Sequence, residues 1–196
     1  MEFRELGRTG LKVSRLCFGG LVIGPLQKNL SIDEGGEVIA EALRLGVNFI
    51  DTADLYNTYG HIRRAMEITG IRPVIASKSY AYDREGAKKS VDRALTSLGI
   101  DSIDIFLMHE QESIHTIRGH WEALEYYLEL KEQGVIKAVG LSTHHIAAVK
   151  ASLDIPEIEV IHPITNIAGL GICDGTMDEM LEAIKKAHEK GKAIYG

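Results

Sequence analysis

Four side chains able to hold or move a proton fall at or just after the ends of apolar runs. Asp51 closes Val47–Ile50, Tyr56 follows five positions later, Lys78 closes Pro73–Ser77, and His109 closes Ile103–Met108. Buried strands that finish on ionisable groups are costly as pure structure, because a charge taken out of water needs a partner. In a parallel sheet the strand ends converge on one face, where α/β folds carry their chemistry. A phenol is a weak acid near neutrality, and a neighbouring ammonium lowers its pKa by stabilising phenolate. The pattern therefore predicts a Tyr56 made more acidic by Lys78, a counter-charge on Lys78 from Asp51, and a His109 that hydrogen-bonds a substrate oxygen. Such a set suits addition of hydride to a carbonyl, whose oxygen must be protonated as charge develops. Singly, each residue reads as ordinary structure: a turn aspartate, a surface aromatic, a snorkelling lysine, a core histidine. Their coincidence at successive strand ends points to a site.

The elements that must position them alternate regularly. Phe3–Leu6 and Leu11–Val13 flank Gly7-Arg8-Thr9-Gly10 and read as a hairpin. Strands are predicted at 15–18, 47–51, 73–78, 103–109, 135–141, 158–164 and 192–195. Helices fall between them, opened by signals such as Ser31-Ile32-Asp33-Glu34 and Asp83, and closed by Gly46, Gly99 and Gly134. The fourth helix is expected over about 118–133. The order is a hairpin, six βα units and one strand. The predicted fold is α/β, a (β/α)8 TIM-type barrel with an N-terminal hairpin, truncated after the seventh strand. The domain reading is a single, incomplete barrel domain over 1–196, with residues 1–14 capping its bottom. An open doubly wound sheet is the alternative. The Gly-x-Gly-x-x-Gly fingerprint after the first strand is absent. Strand edges left open are available for self-association.

Composition narrows the partners. The 196 residues are 45% hydrophobic and 26% charged, with a net charge of −6. That balance disfavours nucleic acid, which calls for clustered Lys and Arg. No apolar run is long enough to span a bilayer, and the start lacks a signal-peptide pattern, so a cytoplasmic location is expected. Cys17 and Cys173 form neither a zinc set nor a disulfide framework. His109, His115 and His120 with Glu110 and Glu112 lack the spacing of a helical metal motif, so no metal is expected. Gly169–Gly175 reads as a flexible loop over the open face.

Phe49-Ile50-Asp51-Thr52-Ala53-Asp54-Leu55-Tyr56, the strand ending in Lys78, and Leu107-Met108-His109 resemble the aldo-keto reductase family. So do Arg4–Ser14, Phe18-Gly19-Gly20 and Gly134–Ser142. The likeness is to a branch some of whose members continue into a C-terminal iron–sulfur segment. The resemblance implies an NADP(H) cofactor and reduction of an aldehyde or ketone, or the reverse oxidation of an alcohol. Carried over by position, Tyr56 is the acid/base, Lys78 and Asp51 tune it, and His109 orients the carbonyl. Gly20, Ser142, Thr143, His162 and Asn166 fall at cofactor-binding positions, Ser142 facing the nicotinamide carboxamide.

The sequence departs from the family pattern at several points. Asn57 stands where the family has glycine, and Tyr59-Gly60 follows, so Tyr59 competes with Tyr56. Thr143 stands in place of asparagine and His162 in place of glutamine. The family holds the cofactor phosphates on its last two strand ends, which would follow Gly196. Each charge-assisted contact is worth roughly 1.5–3 kcal/mol, and losing two weakens binding about a hundredfold. This polypeptide is therefore expected to bind the cofactor poorly. Two other readings stay open: a Schiff-base aldolase using Lys78, and a non-catalytic scaffold that associates through its strand edges.

Overall fold

Period-two alternation sorts each strand's residues to two faces, and the sheet is built around that alternation. The computed structural model describes residues 1–196. An antiparallel hairpin, β1 (Phe3–Glu5) and β2 (Lys12–Ser14), comes first. Its turn uses Gly7 and Gly10 at φ +55° and +72°, a region open to glycine at little cost. Seven strands follow: β3 (Phe18–Gly19), β4 (Phe49–Asp51), β5 (Val74–Ser79), β6 (Ile103–Met108), β7 (Ile136–Thr143), β8 (Val160–Pro163) and β9 (Ala193–Ile194). They form one sheet in sequence order, every pair parallel.

The helices are α1 (Ile32–Arg44), α2 (Tyr59–Thr69), α3 (Arg84–Leu98), α4 (Ile114–Gly119), α5 (Trp121–Glu132), α6 (Ile146–Ser152) and α7 (Met177–Glu189). Their ends follow local chemistry. Ser31 with Glu34 and Thr176 with Glu179 form capping boxes at α1 and α7, satisfying backbone N–H groups that have no helical partner. Asp83 accepts from the Gly86 amide at the start of α3, and Gly99 closes that helix in the left-handed conformation.

One face of the sheet packs Ile50, Ile75, Phe106, Met108, Val139, Leu141 and Ile161 against the helices in a large apolar core. The other face carries Phe49, Ala76, Ile105, Leu107, Ala138, Val160 and Ala193, joined by Leu6, Leu11 and Val13 of the hairpin. This second face is concave. β4 and β9 are separated by four strands, yet the Phe49 and Tyr195 rings meet with centroids 4.9 Å apart. The sheet is thus rolled part of the way into a barrel, with helices outside. Gly140 allows β7 and β8 to approach: a Cβ there would lie 1.8 Å from the Val160 carbonyl oxygen.

Three expectations change. Of the 15–18 run only Phe18 pairs with β4, joined by Gly19 just beyond it. Arg15 instead gives its amide to the Glu2 carbonyl and lengthens the hairpin, and Leu16 faces solvent. The helix expected over 118–133 starts earlier, at Ile114, and breaks at His120, whose backbone leaves helical geometry. The preceding Gly119 is a weak helix former, and the His120 Nδ1 is bonded back to the Thr116 carbonyl at 2.7 Å. The Gly169–Gly175 loop is anchored, not free. Asp174 accepts the Ile146 and Ala147 amides at the start of α6, and Cys173 and Gly171 both bond to His144.

Candidate active site

The pleat explains why polar groups gather at one end of the concave face. Asp51 lies two residues past Phe49, Lys78 past Ala76, and His109 past Leu107. Ser142, His162 and Tyr195 lie two past Gly140, Val160 and Ala193. Residues i and i+2 share a face of a strand, so all six side chains project from the same face as the interior apolar cluster, at the C-terminal ends of β4 to β9.

Lys78 is the hub. Its Nζ donates to Asp51 Oδ2 at 2.7 Å, to the Thr52 carbonyl at 2.9 Å and to Tyr56 Oη at 3.4 Å. The residue is 1% exposed. Its three hydrogens are thereby committed, and the ion pair with Asp51 leaves no free lone pair for attack on a carbonyl carbon, which a Schiff-base lysine needs. Lys78 also stands 4.7 Å from the centre of the Tyr56 ring, a further attraction between cation and ring face.

Tyr56 sits on the 3-10 turn after β4 and is half-buried. Its competitor Tyr59 opens α2, is 3% exposed and shares a 2.7 Å hydrogen bond with Ser77 Oγ in the layer between sheet and helices. Tyr59 is therefore packed away from the cavity. Asn57 takes φ +53°, a left-handed conformation that asparagine tolerates better than most side chains. It thus fills the turn position for which glycine is the usual choice.

Lys78 lowers the Tyr56 pKa as expected, but burial outweighs it. Burial raises its pKa above the ordinary phenol value, and the Lys78 charge offsets that only in part, with Asp51 and Glu110 opposing it. The phenol is thus held protonated, as a proton donor must be. Burial, aided by the Lys78 charge, pushes the His109 pKa down to about 4. The ring is therefore a neutral imidazole near pH 7. It is edge-on to Tyr56 with centroids 5.7 Å apart and stacked on Tyr80 at 4.3 Å.

The five residues at cofactor positions divide. Ser142 and His162 line one cavity with Tyr56, Lys78 and His109. Ser142 Oγ accepts the Glu110 amide at 3.0 Å and keeps its own proton to give. His162 is also held to about 4 by burial, and its Nδ1 has no hydrogen-bond partner. Thr143 borders the same cavity, but its hydroxyl is spent on the Gln111 carbonyl at 2.5 Å and the His145 amide at 2.8 Å. Gly20 is buried behind β4, where a Cβ would meet the Asp51 carbonyl oxygen and Thr58 Oγ1, both at 3.1 Å. Asn166 is turned into its own loop, bonded twice to the Leu170 backbone. These last two are not brought to the cavity.

Tyr195 escaped the sequence reading. Its Oη donates to Asp51 Oδ1 at 2.8 Å, and its ring lies flat on His162, 4.3 Å between centroids and 8° between planes. The rule that singled out Lys78 and His109, a polar group closing an apolar strand, applies equally to Ala193-Ile194-Tyr195. A wider cavity of about 440 Å³ adjoins the site, sharing His109, Glu110 and His144 and continuing past Tyr80, His120 and His145. No group of three or more His, Cys, Asp or Glu is arranged to hold a metal ion, and no helix is long and apolar enough to cross a membrane.

The chain is similar to known proteins over nearly all of its length. The model of the aldo/keto reductase family matches residues 15–195. L-galactose dehydrogenase of Arabidopsis thaliana is 26% identical over 197 residues, covering 94% of this chain and 62% of that protein. An uncharacterized oxidoreductase of Bacillus subtilis is 31% identical over 166 residues, 73% of this chain and 49% of its own length. The holo form of an aldo-keto reductase from Bacillus halodurans superposes with a TM-score of 0.79 at 26% identity, covering 99% of this chain and 65% of that one. The chain thus spans 62% and 49% of the length of the two curated relatives described.

Proposed function

We propose, since this chain belongs to the aldo/keto reductase family, that its concave site reduces an aldehyde or ketone to an alcohol, or runs the reverse oxidation, with Tyr56 as acid/base. One observation carries the reading: a half-buried phenol 3.4 Å from an ammonium that is itself ion-paired to Asp51 at 2.7 Å, with the phenol and the ammonium lining one cavity.

The nicotinamide end of NADP(H) fits the residues present. A carboxamide offers both an acceptor and a donor, and the cavity presents the free Ser142 hydroxyl proton, with the His162 ring in the cavity wall. When bound, the reduced cofactor supplies hydride to the carbonyl carbon. The protein's part is the oxygen. His109, neutral, orients the carbonyl by a hydrogen bond. Tyr56 Oη gives its proton to the oxygen as negative charge develops there, and Lys78 stabilises the phenolate left behind. Asp51 and the Thr52 carbonyl hold Lys78 in place. In the reverse direction the phenolate takes the alcohol proton. A barrel closed by an eighth strand is the family geometry that this reading adopts, with small-molecule carbonyls and alcohols as partners.

The names of relatives point to the same chemistry, one acting on L-galactose and another on methylglyoxal. The test is loss of NADPH absorbance with a panel of aldehydes and sugars, comparing wild type with Tyr56→Phe. Turnover by wild type that the variant lacks supports the reading. Equal turnover by both removes Tyr56 from the mechanism.

A further inference from the structure

We propose that Tyr195 is a positioning residue: by donating to one oxygen of Asp51 it turns the other toward Lys78 and so governs how easily Tyr56 gives up its proton. The proposal rests on the acid/base reading of Tyr56 above.

A carboxylate has two oxygens, and in this site each has a separate task. Oδ2 takes the Lys78 ammonium at 2.7 Å, while Oδ1 takes the Tyr195 hydroxyl at 2.8 Å. Without a donor on Oδ1, the carboxylate is free to turn about its last bond and present both oxygens to Lys78. Tyr195 is itself held by two rings. His162 lies flat against the ring, and Phe49 meets it edge-on at 4.9 Å. The hydroxyl thus arrives pre-aimed, and little entropy is lost in making the bond.

The effect on Tyr56 has one sign. Asp51 disfavours phenolate at Tyr56, and Lys78 favours it. A hydrogen bond to Asp51 spreads its negative charge, which weakens the unfavourable influence. Keeping one carboxylate oxygen away from Lys78 also leaves more of the ammonium's field for Tyr56. Both changes ease ionisation of Tyr56, so removing the Tyr195 hydroxyl makes Tyr56 less acidic. The other groups facing Asp51 are His162 and Cys17. Those facing Tyr56 besides Lys78 and Asp51 are His109, Tyr80 and Glu110. Burial holds His109 and His162 to about 4, so both stay neutral where Tyr56 titrates, and it raises Cys17 and Tyr80.

The test needs no turnover. The chain has seven tyrosines, and carbon-13 labelling at the phenolic carbon lets each be followed through a pH titration by NMR. Tyr195→Phe keeps the ring stack and deletes only the hydroxyl. The Tyr56 midpoint is expected to rise by about half a unit or more, a free-energy change of at least about 0.7 kcal/mol. An unmoved midpoint overturns the proposal. Lys78→Met, which must also raise the Tyr56 midpoint, separates the two levels. If Lys78→Met moves it and Tyr195→Phe does not, only the role of Tyr195 fails; if neither does, the acid/base reading fails with it. Asp51→Asn gives an independent measurement that leaves Tyr195 in place. It must shift the Tyr195 resonance at neutral pH, and no shift also overturns the proposal.

Discussion

Lys78 and Asp51 form an ion pair of 2.7 Å across two neighbouring strands, with the lysine side chain 1% and the aspartate side chain 11% exposed. Breaking one side of such a pair strands the other charge in a poorly solvated place. Asp51→Ala is therefore expected to cost about 3–5 kcal/mol, whereas the double replacement Asp51→Ala with Lys78→Met costs less than the sum of the two single changes. Urea denaturation of the four proteins measures the coupling. Strict additivity would show that the two side chains do not act as a pair.

Tyr56 and Tyr59 separate function from packing. Tyr56→Phe is expected to lower carbonyl reduction by roughly 10²–10⁴-fold with little change in stability. Tyr59→Phe breaks the 2.7 Å bond to Ser77 and is expected to cost about 1 kcal/mol of stability with reduction largely retained. Rates and melting curves of both variants check the pair. The opposite pattern would assign the chemistry to Tyr59.

The two site histidines make the fold sensitive to acid. Burial lowers both from the ordinary value of 6.5 to about 4. Below pH 6.5 the unfolded chain takes up protons that the folded chain refuses until about pH 4. Stability present above 6.5 is therefore lost as pH falls through that window, by up to about 3 kcal/mol for each residue. His109→Gln is expected to lose less stability than wild type between pH 7 and pH 4.5 in urea denaturation. Parallel losses would mean that His109 ionises freely in the folded protein.

Binding of the dinucleotide is expected to be weak in this polypeptide. The cavity that holds Ser142 and His162 is lined by a single lysine, Lys78, and by no arginine, and Lys78 is committed to Asp51. Phosphates need donors of their own. Isothermal titration with NADPH is expected to give a dissociation constant well above micromolar, and sub-micromolar binding would contradict this.

The alternation of apolar strands with capped helices was legible because it is local. Ser31 and Asp83 act within their own turns. Asp51, Lys78 and His109 were legible for a related reason, since a buried strand that ends in charge stands out against apolar neighbours. Tyr195 obeys the same rule but meets Asp51 only because the sheet curls, bringing together positions 144 residues apart. The acidifying influence of Lys78 on Tyr56 is legible, whereas the larger opposing effect of burial is not, because a sequence displays nearby charge but not desolvation. Asn166 and Gly20 were assigned by position in a pattern. Their actual surroundings, a tight loop and the back of β4, depend on three-dimensional packing.

A second buried carboxylate sits at the other end of the same sheet. Asp104, near the start of β6, has a side chain 2% exposed; it binds Arg72, Lys137 at 2.8 Å and the Ile75 amide at 2.9 Å, fastening three adjacent strands together. It does not line the cavity at Tyr56. Robustness and reactivity are thus lodged at opposite poles, and mutational drift in the loops around Tyr56 and His109 leaves the rivet at Asp104 untouched. A scaffold arranged this way tolerates new specificities being tried at one end while the other keeps it folded.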